Sequence, residues 1–305
     1  MRGGLFAGVH GEGLYFSGDG GKSWQPRMTG LDVKHVFTVA SAARRGQPVI
    51  YAGTEPAHLF VSYDYGESWT ELPGLRQVPD TDRWSFPAPP HTGHLKAMAF
   101  DPTNDLVMYA AIEQGALLKS ADGGETWTEL TAYSRPDDHA YKDVHRVVVG
   151  RSNPRDLYMP SGIGLYISHD GGDQWDRITD RGSRIGYPDQ FLISPLDEQV
   201  MFMAGSATSP GTWRTSHHAD ATVMRSDDGG QTWREAARGL PANMRGNIEA
   251  MSLARYNNRL ELFAATTAGE VFVSDDQAES WSLCVSGLAP VSKVGHYQHL
   301  QEPAA

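Results

Sequence analysis

The stretch Ser226–Trp233, SDDGGQTW, decides the fold of this chain, because its pattern Ser-x-Asp-x-Gly-x-x-Trp occurs five more times along the sequence. These copies are SGDGGKSW at 17–24, SYDYGESW at 62–69, SADGGETW at 120–127, SHDGGDQW at 168–175 and SDDQAESW at 274–281, the last with Ala278 in place of the glycine. An eight-residue pattern that returns at intervals of about 45 to 60 residues indicates a chain built from structural repeats.

Each copy is typical of a β-hairpin turn. The aspartate side chain accepts hydrogen bonds from backbone N–H groups of the turn, and the glycine adopts the positive φ angle that the turn requires. The tryptophan begins the next strand and buries a large apolar surface. We therefore interpret the repeated residues as structural rather than catalytic, and we expect a distorted turn in the last copy, which carries Ala278.

The segments around each copy predict the architecture. A β-rich segment such as PVIYAGT or LVMYAAI precedes a second strand that leads into the turn, and a short strand follows the tryptophan. Four strands per repeat predict an all-β, six-bladed β-propeller of four-stranded antiparallel blades, with one domain over residues 1–305. The first blade lacks an innermost strand, and SKVGHYQHL near the C-terminus is predicted to supply it, which closes the propeller and removes an exposed sheet edge.

The six copies and the YAGT and YAAI strands resemble the BNR/Asp-box superfamily. That superfamily includes sialidases, xyloglucan-processing glycosidases, the sortilin ectodomain and photosystem II assembly factors. The resemblance extends over nearly the whole chain and implies a propeller. Its members share architecture and not chemistry, so the resemblance alone does not assign an activity.

Composition excludes several classes of partner. The net charge of −11 and the pI near 5.5 argue against nucleic acid and anionic membranes, because phosphate binding needs clustered Lys and Arg. No apolar run approaches the length of a membrane span, and the N-terminus does not resemble a signal peptide. The single cysteine, Cys284, excludes an intramolecular disulfide. We therefore expect a cytoplasmic protein.

The innermost strands predict a site. Aligned by hand, they read HVFTV, KAMAF, HRVVV, DQFLI, EAMSL and HYQHL, and their first residues are His35, Lys96, His145, Asp189, Glu249 and His296. All six are ionisable, at a position expected at the mouth of the central channel. Two alternatives stay open: the mouth of any propeller channel is solvated and tolerates polar residues, and a slip of one residue in the alignment would scatter the ring.

Histidines and two long loops point to the same face. Ten of the twelve histidines map to it, among them His10 and His58 in loops between second and third strands and His94 between blades. The long loops hold Trp84 and Trp213, the two tryptophans outside the repeats. Long loops on a rigid scaffold often carry binding residues. We predict that Trp84, Trp213, Arg214, His217 and His218 bind substrate, the alternative being that each tryptophan packs inside its own loop.

The leading functional hypothesis is a metal-dependent enzyme, a hydrolase or lyase acting on a small polar or anionic substrate at the His-rich mouth of the channel. Three imidazoles and a carboxylate suit a divalent zinc, iron or manganese ion, which activates water or polarises a substrate oxygen. His35, His145, His296 and Glu249 are the predicted ligands. Glu249, Asp189 and Lys96 are the predicted catalytic residues, with Lys96 and Arg214 holding an anionic group of the substrate.

Two alternatives compete with this hypothesis. A glycoside hydrolase needs two carboxylates that flank the scissile bond, and Asp189 with Glu249 on adjacent blades supplies such a pair. Sialidase activity is disfavoured, because the chain lacks a FRIP-type segment and three arginines at equivalent inner positions. A non-catalytic scaffold that binds a protein partner explains the lack of a known catalytic motif, but it leaves the histidines on one face unexplained.

Overall fold

The computed structural model describes residues 3–87, 90–134, 142–216, 218–256, 259–288 and 291. It confirms the all-β, six-bladed propeller of four-stranded antiparallel blades. The described residues divide into two compact units that meet in the sequence between Thr131 and Ala132. Among these residues, none of the helices has both the length and the apolar character needed to cross a membrane.

The first unit contains three antiparallel sheets, and in each of them the strands pair in sequence order. Two 3-10 helices, Pro73–Gln77 and Thr81–Arg83, lie between the second sheet and the third. The strands are β1 (Leu5–Val9), β2 (Gly13–Ser17) and β3 (Gln25–Pro26); β4 (Val36–Arg44), β5 (Gln47–Thr54), β6 (Leu59–Ser62) and β7 (Thr70–Glu71); and β8 (Leu95–Phe100), β9 (Met108–Ile112), β10 (Ala116–Ser120) and β11 (Thr128–Glu129).

The second unit contains three four-stranded antiparallel sheets and one short helix, α1 (Pro210–Ser216). Its strands are β12 (Val148–Val149), β13 (Leu157–Ser161), β14 (Gly164–Ser168) and β15 (Asp176–Arg177); β16 (Tyr187–Ile193), β17 (Met201–Ser206), β18 (Thr222–Ser226) and β19 (Arg234–Glu235); and β20 (Ile248–Tyr256), β21 (Arg259–Thr266), β22 (Val271–Ser274) and β23 (Ser282–Val285).

The first sheet has three strands among the described residues, β1 to β3. The predicted innermost strand around His296 lies outside those residues, so closure by the C-terminal strand stays a prediction.

The turn between the last two strands of each sheet is held by one hydrogen-bonding pattern. In all six copies the serine hydroxyl donates to an aspartate oxygen at 2.8 Å. The N–H four residues after the aspartate donates to the same oxygen at 2.8–2.9 Å. The serine oxygen itself accepts the N–H four residues after it, at 2.7–2.9 Å. The carboxylate therefore replaces the backbone partners that a tight turn cannot offer.

These hydrogen bonds favour the ionised aspartate. In the fifth copy the hydroxyl and the N–H of Thr232 lower the pKa of Asp228 to about 2. A carboxyl group whose pKa falls on folding stabilises the fold above its unfolded-state pKa of about 4, and that contribution disappears as the pH drops towards 2.

The expectation of a distorted turn in the last copy is wrong. Ala278 adopts a left-handed conformation with φ of 68°, and its N–H donates to Ser274 Oγ at 2.8 Å, as glycine does at this place in the other copies. The hydrogen bonds to Ser274 and Asp276 are retained because together they outweigh the cost of a positive φ angle at a residue with a Cβ atom.

The repeat tryptophans divide into two groups by the acceptor of the indole N–H. Trp69 donates to the Arg27 carbonyl and Trp281 to the Ala236 carbonyl, at 3.0 and 2.8 Å, so each links its sheet to the preceding one. At Gly239, close to Trp281, a Cβ atom would lie 2.0 Å from the Trp281 carbonyl oxygen, so only glycine fits there. The other four bind the carbonyl of a glycine in their own turn: Trp24, Trp127, Trp175 and Trp233.

Apolar side chains from successive sheets form the cores of each unit. In the first unit one core surrounds Leu59, Leu95 and Ile112, all fully buried. In the second unit one core surrounds Phe202, Ile248 and Leu262, which are also fully buried. The polar residues near the starts of the first strands therefore lie on sheets that carry their own apolar cores.

We predict that Ser226→Ala lowers the free energy of unfolding by about 1–3 kcal/mol, because it removes the acceptor of the Gly230 N–H in a buried turn. Denaturant unfolding measures the change. Asp227→Ala is the matched control, since the adjacent Asp227 makes only ion pairs at the surface, which contribute about 0–1 kcal/mol. Equal losses in the two variants would contradict a structural role for the Ser–Asp pattern.

Candidate functional site

A β-bulge near the start of the first strand of each complete sheet determines which residues form the candidate site. The pairing of the first strand with the second skips one residue, so two residues on the first strand oppose one on its partner. The fourth sheet shows the same skip between the Val144–Ser161 bridge and the Val148–Tyr158 pair. The skipped residues are Phe37, Lys96, His145, Asp189 and Glu249.

The bulges confirm four of the five hand-aligned positions that the structure describes and correct one. Lys96, His145, Asp189 and Glu249 occupy equivalent places in their sheets. In the second sheet that place belongs to Phe37, and His35 lies two residues earlier. An offset of two residues preserves the two-residue alternation, so the apolar pattern alone did not reveal that His35 was misplaced. His296 lies outside the described residues.

In the first unit, His35 belongs to a group formed with His10 and Glu55. His10 lies in the turn between β1 and β2, and Glu55 directly follows β5. The distance from His35 Nδ1 to His10 Nε2 is 3.0 Å, and that from His10 Nε2 to Glu55 Oε1 is 3.8 Å. The Glu55 N–H donates to the His35 carbonyl at 2.9 Å, which fixes these two residues relative to each other.

A buried chain of charged groups continues from Glu55. His94 Nδ1 lies 3.5 Å from Glu55 Oε2, and His94 Nε2 lies 2.6 Å from Glu113 Oε2. Lys96 Nζ donates to Glu113 Oε1 at 2.7 Å. The Phe37 ring stacks on His94 with a centroid distance of 4.0 Å. Lys96, predicted to hold an anionic substrate group, is thus engaged with a carboxylate of its own unit.

In the second unit, His145 is fully buried and lies between two carboxylates. His145 Nε2 is 3.5 Å from Asp143 Oδ1, and His145 Nδ1 is 3.7 Å from Asp189 Oδ1. His145 Nδ1 also lies 2.6 Å from the Pro188 carbonyl, so this nitrogen carries a proton and donates it to that oxygen. Tyr187 donates its hydroxyl proton to Asp143 Oδ2 at 3.2 Å.

Polar side chains around Asp189 complete this second group. The Asn247 amide donates to Asp189 Oδ2 at 2.5 Å, and the Gln190 amide donates to the Glu249 carbonyl at 2.5 Å. The Nε atom of Arg146 is buried, and burial lowers the pKa of its guanidinium to about 10, although the charge of Asp189 opposes this shift. Arg146 therefore stays cationic at neutral pH.

The two long loops do not present their tryptophans as binding surfaces. Trp213, in α1, is 5% exposed and belongs to the apolar core of the second unit, and Trp84 is partly buried against a core of the first unit. Both tryptophans therefore pack against apolar cores of their own units, and substrate binding by them stays a prediction. His218 is exposed. The side chain of Arg214 and the whole of His217 lie outside the described residues.

The predicted metal ligands fall into different surroundings. His35 pairs with His10 and Glu55, whereas His145 contacts Asp143 and Asp189. Glu249 is buried, at the bulge of β20. His296 lies outside the described residues, so the binding of a metal ion by these four residues stays a prediction.

Five residues of these groups were not predicted from the sequence, although each lies at a fixed distance from a strand end or a bulge position. Glu55 and Glu113 directly follow the YAGT and YAAI strands, as His10 follows the corresponding strand of the first sheet. The other three, Asp143, Tyr187 and Asn247, lie two residues before a bulge position, as His35 and His94 do. The signal was present in the sequence as a polar residue at a constant distance from each strand.

Comparison with known families identifies the repeat. The family model of the BNR/Asp-box repeat matches residues 224–235, which include the fifth copy of the turn. The same hydrogen bonds recur in all six copies. The chain therefore carries a BNR/Asp-box repeat within a six-bladed propeller.

Curated relatives of this Asp-box propeller are xyloglucan-degrading enzymes. A xyloglucanase of Hypocrea jecorina is 28% identical over 218 residues, which cover 63% of this chain and 25% of that protein. An oligoxyloglucan-reducing end-specific xyloglucanase of Emericella nidulans is 25% identical over 210 residues, which cover 57% of this chain and 25% of that protein. The chain thus spans about a quarter of the length of these relatives.

Solved structures with the same fold include GH74 enzymes and YCF48. An ancestral GH74 enzyme matches with a TM-score of 0.68 and 20% identity, over 92% of this chain and 36% of that chain. The GH74 xyloglucanase of Xanthomonas campestris matches with a TM-score of 0.65 and 14% identity, over 93% and 44%. YCF48 bound to D1 peptide matches with a TM-score of 0.55 and 18% identity, over 93% and 80%.

These comparisons correct the leading functional hypothesis. The prediction of a metal-dependent hydrolase or lyase for a small anionic substrate is wrong, because the curated relatives are glycoside hydrolases that act on xyloglucan. The hypothesis relied on histidines expected at the mouth of the channel. Two of the described histidines, His94 and His145, are instead fully buried between carboxylates of their own unit.

We predict that Lys96→Met lowers the free energy of unfolding by about 3–5 kcal/mol, because it leaves the Glu113 carboxylate, 2% exposed, without its cation. Denaturant unfolding measures the loss. The double variant Lys96→Met/Glu113→Gln should recover part of the stability, since the uncompensated charge is gone. A loss below about 1 kcal/mol in Lys96→Met would mean that the pair behaves like an exposed one.

Proposed function

We propose that this Asp-box propeller is a glycoside hydrolase that acts on oligosaccharides of the xyloglucan class. The observation that carries the proposal is the group of Asp143, His145 and Asp189, in which two carboxylates contact opposite nitrogens of one imidazole ring. The xyloglucanases among the curated relatives support the substrate class.

The spacing of the two carboxylates suits glycoside hydrolysis. Because Asp143 and Asp189 both contact His145, their nearest oxygens lie less than about 9.5 Å apart, which is the upper limit for the carboxyl pair of inverting glycosidases. One carboxyl group of such a pair protonates the leaving oxygen, and the other activates a water molecule on the opposite face of the sugar.

The surrounding residues orient the pair. The Tyr187 hydroxyl holds Asp143, and the Asn247 amide holds Asp189, so each carboxyl group has one oxygen fixed by a hydrogen bond. Fixed orientation matters because acid–base catalysis requires the proton donor and acceptor within hydrogen-bonding distance of the reacting atoms. Arg146 adds a positive charge near Asp189. Glu249, the partner of Asp189 in the sequence-based carboxylate pair, lies buried at the neighbouring bulge.

The test is hydrolysis of xyloglucan oligosaccharides, followed as new reducing ends. We predict that Asp143→Asn and Asp189→Asn each lower kcat about 100-fold or more, because general acid–base catalysis contributes about 10²–10⁴-fold. Asp176→Asn, at an exposed aspartate of the same unit, is the control and should retain full activity. Proton NMR of the first product shows whether the anomeric configuration is inverted or retained, which reports the separation of the carboxyl pair in the working enzyme.

Two outcomes would change this assignment. If Glu249→Gln abolishes hydrolysis and Asp143→Asn does not, the pair is Asp189 with Glu249. If the folded wild-type protein releases no reducing ends from xyloglucan oligosaccharides, the proposal of a glycoside hydrolase is wrong.

A protein-binding scaffold is the second candidate function. The observation in its favour is length: the matched region covers 80% of the YCF48 chain but only 36% and 44% of the GH74 enzymes. A scaffold accounts for buried, mutually bonded polar groups such as His94 with Glu113, which need no substrate. A wild-type protein without hydrolytic activity that retains a saturable protein partner would support this function.

A further inference from the structure

The carboxylate of Glu55 is buried, and its nearest polar neighbours among the described residues are two imidazole rings. Glu55 is 4% exposed, yet its carboxylate accepts no hydrogen bond from the residues that the structure describes. Its nearest polar neighbours are His10 Nε2 at 3.8 Å and His94 Nδ1 at 3.5 Å, both beyond hydrogen-bonding distance or geometry. His94 Nδ1 is likewise buried without a hydrogen-bond partner among those residues. A cation that binds both imidazole nitrogen and carboxylate oxygen would satisfy these groups together.

We propose that His10, His35 and Glu55 bind a divalent transition-metal ion, zinc above all. Their ligand atoms, one from each residue, all lie within 4.8 Å of one another. Zinc binds imidazole nitrogen and carboxylate oxygen at about 2.0–2.2 Å, so the ligand atoms of a tetrahedral site lie about 3.4 Å apart. The observed separations of 3.0 Å between the imidazoles and 3.8 Å from His10 to Glu55 bracket that value.

Charge and chemistry distinguish this group from a simple hydrogen bond between rings. A hydrogen bond of 3.0 Å between His35 Nδ1 and His10 Nε2 requires one proton between them, and it leaves the charge of Glu55 unchanged. A divalent ion takes the place of that proton, accepts both nitrogen lone pairs and neutralises the carboxylate. Two imidazoles with one carboxylate select zinc or its late first-row neighbours over magnesium and calcium, which prefer oxygen ligands.

Neighbouring residues hold the ligands in place. The Glu55 N–H donates to the His35 carbonyl at 2.9 Å, which ties two of the ligands together through the backbone. The edge of the His10 ring packs against Phe37, with a centroid distance of 5.4 Å. His10 itself is 60% exposed at its side chain, so solvent has access to the site and a water molecule can complete the coordination.

The ion would link the first two sheets of the first unit. His10 lies in the turn between β1 and β2, whereas His35 and Glu55 flank β4 and β5. The site is therefore a structural clamp. It does not depend on the proposed hydrolase function, because neither Asp143 nor Asp189 contributes a ligand.

The experiment is zinc titration of untagged, chelator-treated protein by isothermal calorimetry, with melting curves in the presence and absence of zinc. We predict one saturable site in the wild-type protein and at least a tenfold weaker affinity in His10→Ala and in Glu55→Gln. Zinc should raise the melting temperature of the wild-type protein and not that of His10→Ala. The affinity should fall as the pH drops below about 6.5, where free imidazole becomes protonated.

The control is His169→Ala, which removes an exposed histidine that faces a single carboxylate, Asp156, at 2.8 Å. It should bind zinc as the wild type does. Magnesium should not compete for the site, whereas cobalt and nickel should. Two results would overturn the proposal: wild-type protein without a saturable zinc site, or His10→Ala with wild-type affinity. If His10→Ala lowers the melting temperature equally with and without zinc, the two histidines share only a hydrogen bond.

Discussion

One aspartate oxygen accepts both a serine hydroxyl and a backbone N–H in each of the six repeat turns, and the position of every sheet depends on this contact. A turn this tight exposes N–H groups that the strands cannot pair, and a carboxylate with a fixed orientation satisfies them. The pattern is retained even where the glycine is replaced, since Ala278 accepts a left-handed conformation to preserve it. Because the same turn recurs in six repeats, the strands that follow it begin at equivalent places.

The polar groups at the start of the first strands follow from that repetition. A bulge near the start of these strands moves one side chain out of the two-residue alternation. A second polar residue lies two positions before this bulge residue. In both units this arrangement places an imidazole between two carboxylates: His94 between Glu55 and Glu113, and His145 between Asp143 and Asp189. A repeat made for folding thus produces, in each unit, a set of groups suited to proton transfer or ligand binding.

The two groups differ in how completely their charges are satisfied. In the second unit, tyrosine and asparagine side chains bind the carboxylates of Asp143 and Asp189 directly. In the first unit, Lys96 compensates Glu113, but Glu55 has only long contacts to imidazoles. This difference separates an oriented carboxylate pair, suited to acid–base chemistry, from the ligand set that we propose for a metal ion. It also explains why an interpretation based on histidine content alone assigned one function to residues with two different surroundings.

The sequence by itself determined the six blades, the turns and four of the inner positions, because these depend on local patterns that recur: Ser-x-Asp-x-Gly-x-x-Trp, and a polar residue at the start of an apolar strand. Only the tertiary structure decided what those positions contact. The place of Phe37 at the position expected for His35 is defined by the pairing of β4 with β5, which the hand alignment did not include. Trp213 packs into a core, and Glu55 approaches His10, through contacts between segments far apart in the chain, which no local periodicity encodes.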